Sequence, residues 1–155
     1  MRVLLVAMDQ HRYDHIYTAL RGQPANTARQ LRVMLDTMGG QPVHFVTHSA
    51  GGISATMLAD HPQVSHIVCF GYPFQHPQHP PQAFRTAHLA SVRKPLMILQ
   101  GDADTYGNDA RVFGRHLPPD TRTVTLACDH DYDPLSEQDQ DRAFAALAAF
   151  LPQSD

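Results

Sequence analysis

The sequence predicts a three-layer α/β fold built on a mainly parallel sheet of about five strands. Short apolar runs alternate along the chain with segments of helical periodicity, which is typical of β-α-β units. Most of these runs are almost continuously apolar, as strands buried on both faces should be. The chain has 155 residues, of which 43% are hydrophobic and 17% charged. This composition favours a single globular domain over residues 1–155.

Periodicity and turn residues place the individual elements. The strands are predicted at residues 2–8, 43–47, 65–71, 95–100 and 122–128. The helices are predicted at 27–38, 51–61, about 107–116 and 136–151. Gly39 and Gly40 would stop the first helix, and Ser136 followed by Asp139 resembles a capping pair for the last. Phe113, Phe144 and the methionines at helical spacing, such as Met34 and Met38, are expected in the core.

Charge and composition exclude several classes of function. A formal net charge of -3 and a pI near 6.4 argue against a nucleic-acid partner. The longest apolar runs span about seven residues, far fewer than the ~20 that a bilayer helix needs, so no membrane partner is expected. Cys69 and Cys128 each lie in an apolar run, which favours reduced core thiols and, by default, a cytoplasmic protein.

A small-residue turn after the second predicted strand carries the first chemical signal. Residues 43–52 form an apolar strand that ends in the pattern Thr47-x-Ser49-x-Gly51 and opens a helix. Such a turn strains its central residue and exposes that side chain above the sheet, although glycine is usual where Thr47 stands. The N–H of Ala50 would face an anion beside the Ser49 hydroxyl. The alternative is a serine that caps the helix, with the glycines serving only close packing.

A nucleophilic serine needs a base and an orienting carboxylate, which in this kind of fold follow in the order serine, acid, histidine. Asp102 and Asp104 follow the fourth predicted strand, and His130 follows the fifth. These positions lie at carboxyl ends of strands, the same edge as Ser49. Either acid could instead be solvated at a turn, and His130 could be a surface histidine.

Three stretches, 70–74, 84–89 and 95–104, resemble the KANL/Tex-type α/β-hydrolase-like family. They read FGYPF, FRTAHL and PLMILQGDAD. The family has a "GYP" strand end, a proline-rich loop, an "R-T/D-x-H/D-L" segment and a "QG-x-x-D" turn in this order. Its nucleophile turn, "R-S-M-G-G", matches here at Ser49 and both glycines, and its late "D-H-S" corresponds to residues 129–131. The resemblance implies a serine-hydrolase scaffold in which Asp104, not Asp102, is the acid.

The family pattern differs from this chain near the N-terminus. Members open with a strand and an "H-G-x-G" loop whose backbone donates to the oxyanion, whereas the chain begins at about the following strand. Residues 9–12 contain no glycine. The resemblance therefore implies that one oxyanion donor and part of the sheet are missing, a loss worth on the order of 100- to 1000-fold in turnover. Either the sequence is incomplete, or the protein is reduced and no longer catalyses.

The remaining candidates concern the pocket and metals. His48 and Tyr72, beside the serine turn and the third strand end, are expected to line the substrate pocket. Two histidine pairs, at 11 and 15 and at 76 and 79, have metal-like spacing but no matched third ligand, so solvated loop histidines are favoured and no metal is expected. His44, inside a strand, is expected at the core or the sheet edge.

Two functions follow. The first is hydrolysis of a small ester or thioester through an acyl-enzyme, with Ser49 as nucleophile, His130 as base, Asp104 as orienting acid and no cofactor. The second is a catalytically inactive module of the same fold that binds a small molecule or a protein. In that case an exposed apolar face would favour a homodimer.

Overall fold

A computed structural model describes residues 24–37, 39, 40, 42–113 and 115–152, and the backbone of residues 2–6. In this part of the chain the strands are β1 (Arg2–Val6), β2 (Val43–His48), β3 (Val64–Phe70), β4 (Leu96–Gly101) and β5 (Arg122–Leu126). The helices are α1 (Pro24–Thr37), α2 (Ala50–Thr56), α3 (Ala110–Phe113) and α4 (Glu137–Phe150), with short 3-10 turns at Ala83–Arg85 and Leu89–Ser91.

The described strands form one sheet in the order β1-β2-β3-β4-β5, and each neighbouring pair is parallel. Parallel neighbours need crossover connections, which explains why helices alternate with strands along the chain. Because all strands run the same way, their carboxyl ends share one edge, where open α/β sheets bind ligands. The predicted α/β class with a parallel sheet is confirmed.

Both faces of the sheet are covered. Alternate residues of each strand point to opposite sides, so each face contributes its own set of side chains to a buried cluster. On β3, Ile67 and Cys69 belong to a buried cluster that includes Leu31 of α1 and residues of α2. Val68, between them in sequence, belongs to a second cluster with Ala143 of α4. Strand β4 is buried at every residue, in keeping with its largely apolar sequence, whereas β5 at the edge reads RTVTL and is buried only at Leu126.

Helix ends agree with the predicted stop and start signals. Gly39 and Gly40 follow α1 with φ of 70° and 80°, a backbone region that favours glycine; Met38 lies outside the described residues. At α4, the N–H of Asp139 donates to Ser136 Oγ at 3.1 Å, as the capping pair predicts. No helix in the described part of the chain is long and apolar enough to cross a membrane.

Two predicted helices are shorter in the structure. Helix α2 was expected to reach residue 61 but ends at Thr56, after which the chain changes to i→i+3 bonds such as Leu58 N–H to the Ala55 carbonyl. Helix α3, expected at 107–116, covers only Ala110–Phe113. Gly107 has a φ of 125°, which no helix contains, and Asp109 Oδ1 accepts from N–H groups of the first helical turn.

Two residues expected in the core are exposed. Phe144 on α4 is 69% exposed and Met34 on α1 is 45% exposed. In each case the neighbouring residue in sequence, Ala143 or Leu35, occupies the buried face instead. Consecutive residues lie about 100° apart around a helix. The orientation of the helix about its own axis therefore decides which of two neighbouring residues is buried. Phe113 is partly buried against the core, as predicted.

Candidate active site

The turn between β2 and α2 holds Ser49 in a strained conformation. Its φ of 52° and ψ of -128° lie in a region that residues with a side chain rarely adopt. The turn is tied to the sheet because the Ser49 N–H donates to the Phe70 carbonyl at 2.9 Å. Helix α2 begins at the next residue, Ala50, so the serine is presented at the carboxyl edge of the sheet. This is the conformation that a nucleophile on such a turn requires.

Small residues beneath this turn have identifiable packing roles. A Cβ on Gly52 would lie 3.0 Å from Tyr72 Cδ2 and 3.1 Å from Cys69 Sγ, so glycine lets α2 approach β3 closely. Thr47 stands where glycine is usual, and it is buried with its hydroxyl donating to the Val68 carbonyl at 3.0 Å. The larger side chain is therefore accommodated by a hydrogen bond within the sheet.

Ser49 and His130 meet at hydrogen-bond distance. Ser49 Oγ lies 2.8 Å from His130 Nε2, and His130 Nδ1 lies 2.8 Å from Asp104 Oδ2. An ionised carboxylate only accepts, so Nδ1 carries the proton in the neutral ring. Nε2 is then the acceptor, and the serine hydroxyl donates to it. In this tautomer the imidazole can take the hydroxyl proton directly.

Asp104 is the acid that the fold brings to His130. Its side chain is 0% exposed, and besides His130 it accepts from Gln100 Nε2 at 2.7 Å and from the Tyr106 N–H at 2.7 Å. A buried carboxylate is costly unless it is hydrogen-bonded, and these three donors compensate the charge. Asp102, the other acid considered, is exposed at the turn.

Gln100 is a residue of this site that sequence reasoning missed. It is 1% exposed at the end of β4, and its Oε1 accepts the Tyr72 N–H at 3.0 Å. That donor fixes the orientation of the amide, because the NH₂ group must then face the acceptors on its other side, Asp104 Oδ2 and the Gly107 carbonyl. A glutamine at the end of an otherwise apolar buried strand was the available signal.

Two glycines make room for the loop that carries His130. A Cβ on Gly101 would lie 2.3 Å from the Cys128 carbonyl oxygen and 2.7 Å from that of Asp129. A Cβ on Gly71, which has a φ of 56°, would lie 3.3 Å from His130 Nδ1. Glycine is therefore required by the close contact at Gly101, and at Gly71 it is favoured by the positive φ and the tight contact with His130.

The loop is also held by its own hydrogen bonds. Asp129 Oδ1 accepts from the N–H groups of Asp131 at 2.9 Å and Asp133 at 3.0 Å. His48 Nε2 lies 2.9 Å from the His130 carbonyl oxygen. Because a carbonyl only accepts, His48 donates and tethers the main chain of His130. The imidazole of His130 is therefore positioned through its backbone as well as its ring.

His48 lies at the rim of the site, and it contacts two rings. Its own ring is 5.2 Å from that of His130 and 5.9 Å from that of Tyr132, between centroids. The Tyr132 hydroxyl donates to the Leu99 carbonyl at 2.8 Å, and burial raises the pKa of this phenol. The role of His48 as a pocket residue stays a prediction. The structure adds the hydrogen bond from His48 to the His130 carbonyl.

The expectation that Tyr72 lines the pocket mouth is wrong. Its side chain is 0% exposed and belongs to the core, where its hydroxyl donates to the Arg85 carbonyl. The backbone turns after β3 so that the phenol points beneath the helix α2, against Gly52. Ala50, by contrast, lies in the first turn of α2, where N–H groups have no carbonyl partner within the helix.

Other candidate sites are separate from this one. A cleft of about 780 Å³ lies at the opposite edge of the sheet, where β3, β4 and β5 begin. Its lining includes none of the residues around Ser49. Among the lining residues are His66, Lys94, Leu96 and Arg122. In the described part of the chain, no three histidine, cysteine, aspartate or glutamate side chains are grouped to hold a metal ion. The histidines at 11 and 15, and residues 9–12, lie outside the described residues.

Comparison with solved structures supports the fold described above. Of solved structures, AbyA5 superposes with a TM-score of 0.61 at 18% identity, covering 81% of this chain and 49% of its own. An alpha-beta serine hydrolase homologue from Coxiella burnetii gives 0.62 at 16%, covering 84% and 61%. A hydrolase from Pseudomonas aeruginosa PA01 gives 0.63 at 19%, covering 84% and 72%. The chain thus spans about half to three-fifths of the first two, and such identities show the fold alone.

No curated protein matches the chain in sequence. Residues 9–150, however, match the family described as alpha/beta hydrolase domain. Because this match covers nearly the whole chain, from the segment after β1 to the end of α4, the protein belongs to the alpha/beta hydrolase domain family.

Proposed function

We propose that this protein is a serine hydrolase that cleaves a small carboxylic ester or thioester through an acyl-enzyme. The observation that carries the proposal is the continuous hydrogen-bonded chain from Ser49 Oγ through His130 to Asp104, with both contacts at 2.8 Å. The strained backbone of Ser49 supports it independently, because such strain persists at functional sites where the surrounding structure enforces it.

The proposed reaction has two halves. Ser49 Oγ attacks the substrate carbonyl while its proton passes to His130 Nε2, and the imidazolium then gives that proton to the leaving alcohol or thiol. Water subsequently attacks the acyl-enzyme, with His130 again taking a proton and returning one to Ser49. Asp104 stays ionised throughout and stabilises the imidazolium through Nδ1–H. The route uses only side chains of this chain and water.

An oxyanion develops on the substrate carbonyl in both halves. The N–H of Ala50, in the first turn of α2 beside the serine, is the proposed donor to it. In the family that the sequence resembles, a second donor comes from a loop near the N-terminus. Residues 7–23 of this chain lie outside the described residues, so the proposal names Ala50 alone.

We further propose that the protein is a KANL/Tex-type member of its superfamily, acting in the cytoplasm. The "QG-x-x-D" turn supports the first point. Its glutamine, Gln100, donates to its aspartate, Asp104, and its glycine, Gly101, leaves room for the loop that carries His130. The two cysteines support the second, because Cys69 and Cys128 are both buried free thiols.

A fluorophosphonate probe tests the enzymatic proposal. Wild-type protein should form a covalent adduct whose mass maps to Ser49, and Ser49→Ala should form none. Ser54→Ala is the matched control, since Ser54 is buried in α2 and donates to the Pro24 carbonyl. Asp104→Asn should slow labelling about 100-fold or more, because the imidazole would lose its orienting charge. Folded wild-type protein that does not label would refute the hydrolase and favour the inactive binding module.

A further inference from the structure

Three aromatic or imidazole rings extend in series from His130 towards solvent. The Tyr106 ring lies 4.4 Å from the His130 ring with an angle of 33° between their planes. The His76 ring meets Tyr106 edge-on at 5.5 Å, and the His79 ring follows His76 at 4.2 Å. His76 and His79 belong to the proline-rich loop after β3, and Tyr106 belongs to the loop after β4. These side chains form what we call the ring ladder: Tyr106, His76 and His79.

Backbone contacts join the two loops and hold the ladder in place. The Gln75 N–H donates to the Tyr106 carbonyl at 3.0 Å, and the His79 N–H donates to the His76 carbonyl at 3.2 Å. The Gln78 N–H donates to His76 Nδ1 at 3.1 Å, which fixes the orientation of that ring. The ladder is therefore a built surface rather than a set of independent loop side chains.

The middle ring of the ladder, His76, is favoured in its neutral form. Nδ1 of His76 accepts a hydrogen bond and so carries no proton. Partial desolvation, followed by the neighbouring His79 and Arg85, lowers the pKa of His76 from its ordinary value and so favours the neutral ring. Tyr106 and His76 are both half-buried residues.

The first ring of the ladder, Tyr106, contacts the imidazole that binds the nucleophile. His130 contacts Tyr106 with its ring and Ser49 Oγ with Nε2 at 2.8 Å. Tyr106 therefore contacts the same imidazole that binds Ser49 Oγ, and His76 is the next ring beyond Tyr106. Aromatic rings gain edge-to-face and offset-stacked contacts there that a saturated ring of similar size does not.

We propose that Tyr106 and His76 form a subsite for a flat aromatic ring of the substrate, so that the preferred substrates are esters with an aromatic ring one or two bonds from the scissile group. This inference rests on the proposed function, because it places the ring relative to Ser49. It assigns His76, a residue outside the Ser49–His130–Asp104 chain, as a specificity-determining residue.

Two esters differing only in aromaticity test the subsite. Benzyl acetate and cyclohexylmethyl acetate share an acyl group and a primary alcohol leaving group. Wild-type protein should hydrolyse benzyl acetate with a kcat/KM higher by about 2- to 12-fold. His76→Leu should bring the ratio close to one, and His76→Phe should restore it. Phe84→Leu is the matched control, since Phe84 is an exposed aromatic residue outside the ladder and its loss should leave the ratio unchanged.

The outcomes separate the subsite from the hydrolase. Equal kcat/KM for the two esters in a protein that labels at Ser49 would overturn the subsite and leave the hydrolase standing. If the protein does not label, binding of the two product alcohols to the wild type is measured by proton NMR of the His76 ring. A lower Kd for benzyl alcohol than for cyclohexylmethanol, fitted from the concentration dependence of those shifts, would then support the subsite, and equal Kd values would overturn it.

Discussion

Gln100 is the residue whose replacement we expect to be most informative. The substitution Gln100→Met keeps the length and approximate volume of the side chain but removes its donor and acceptor. In the wild type, this amide accepts the Tyr72 N–H and donates to Asp104 and to the Gly107 carbonyl. The variant therefore tests whether a buried polar network, rather than apolar packing, holds the end of β4.

The expected magnitude follows from the groups left without partners. The Tyr72 N–H and the Gly107 carbonyl lose their partner at a site where the Gln100 side chain is 1% exposed. Each such loss costs roughly 1–3 kcal/mol. Asp104 keeps two donors, Tyr106 N–H and His130, so its loss is smaller. We expect the free energy of unfolding to fall by about 3 kcal/mol, which a domain of typical stability survives.

Urea unfolding followed by circular dichroism measures this change. The slope m of the unfolding free energy against urea concentration should stay constant if the unfolded state is unaltered. Ser54→Ala, which removes one buried hydroxyl, should cost only about 1 kcal/mol. Labelling of Ser49 should also slow by about 10- to 100-fold, because Asp104 would lose part of its support. A loss of stability in Gln100→Met no larger than in the control would refute the reasoning.

Three further predictions concern stability and accessibility. Gly101→Ala should destabilise the protein by about 3 kcal/mol, because its Cβ would lie 2.3 Å from the Cys128 carbonyl oxygen; an unchanged thermal midpoint would contradict this. Burial raises the pKa of Cys69 to about 12 and that of Cys128 to about 11, so neither should react with a thiol reagent near neutral pH until urea unfolds the chain. Burial also lowers the pKa of His44 and His66 from 6.5. The unfolded chain then binds protons first, so stability should decrease as pH falls below about 6.5. His44→Leu should reduce the difference between urea midpoints at about pH 7.5 and about pH 5.5, and an equal difference in the variant would argue against it.

The positions of the strands along the chain and the serine turn could be predicted because their sequence signals are local. Short, mostly apolar runs marked β3 and β4, β-branched residues marked β2 and β5, and the turn around Ser49 followed from small residues between a strand and a helix. Since parallel strands end at a common edge, the positions of Ser49 and His130 along the chain were enough to predict that they would meet. The distance of 2.8 Å between them agrees with that prediction.

The choice between Asp102 and Asp104 could not be made from spacing alone. Both follow β4 within the same turn, and only the direction of each side chain distinguishes them; the family resemblance pointed to Asp104. In the structure Asp104 is buried towards His130, whereas Asp102 is exposed. That direction depends on how the loop after β5 packs against Gly101, a contact between residues far apart in sequence.

The sequence by itself determined the parallel α/β class, the order of its elements and the strand ends that carry Ser49 and His130. Only the tertiary structure decided that Tyr72 is buried, that Phe144 is exposed and that Gln100 supports Asp104. The physical reason is that hydrophobic periodicity and turn chemistry are properties of neighbouring residues. The rotation of a helix and the partners of a buried amide are set by packing between segments that the chain brings together only on folding.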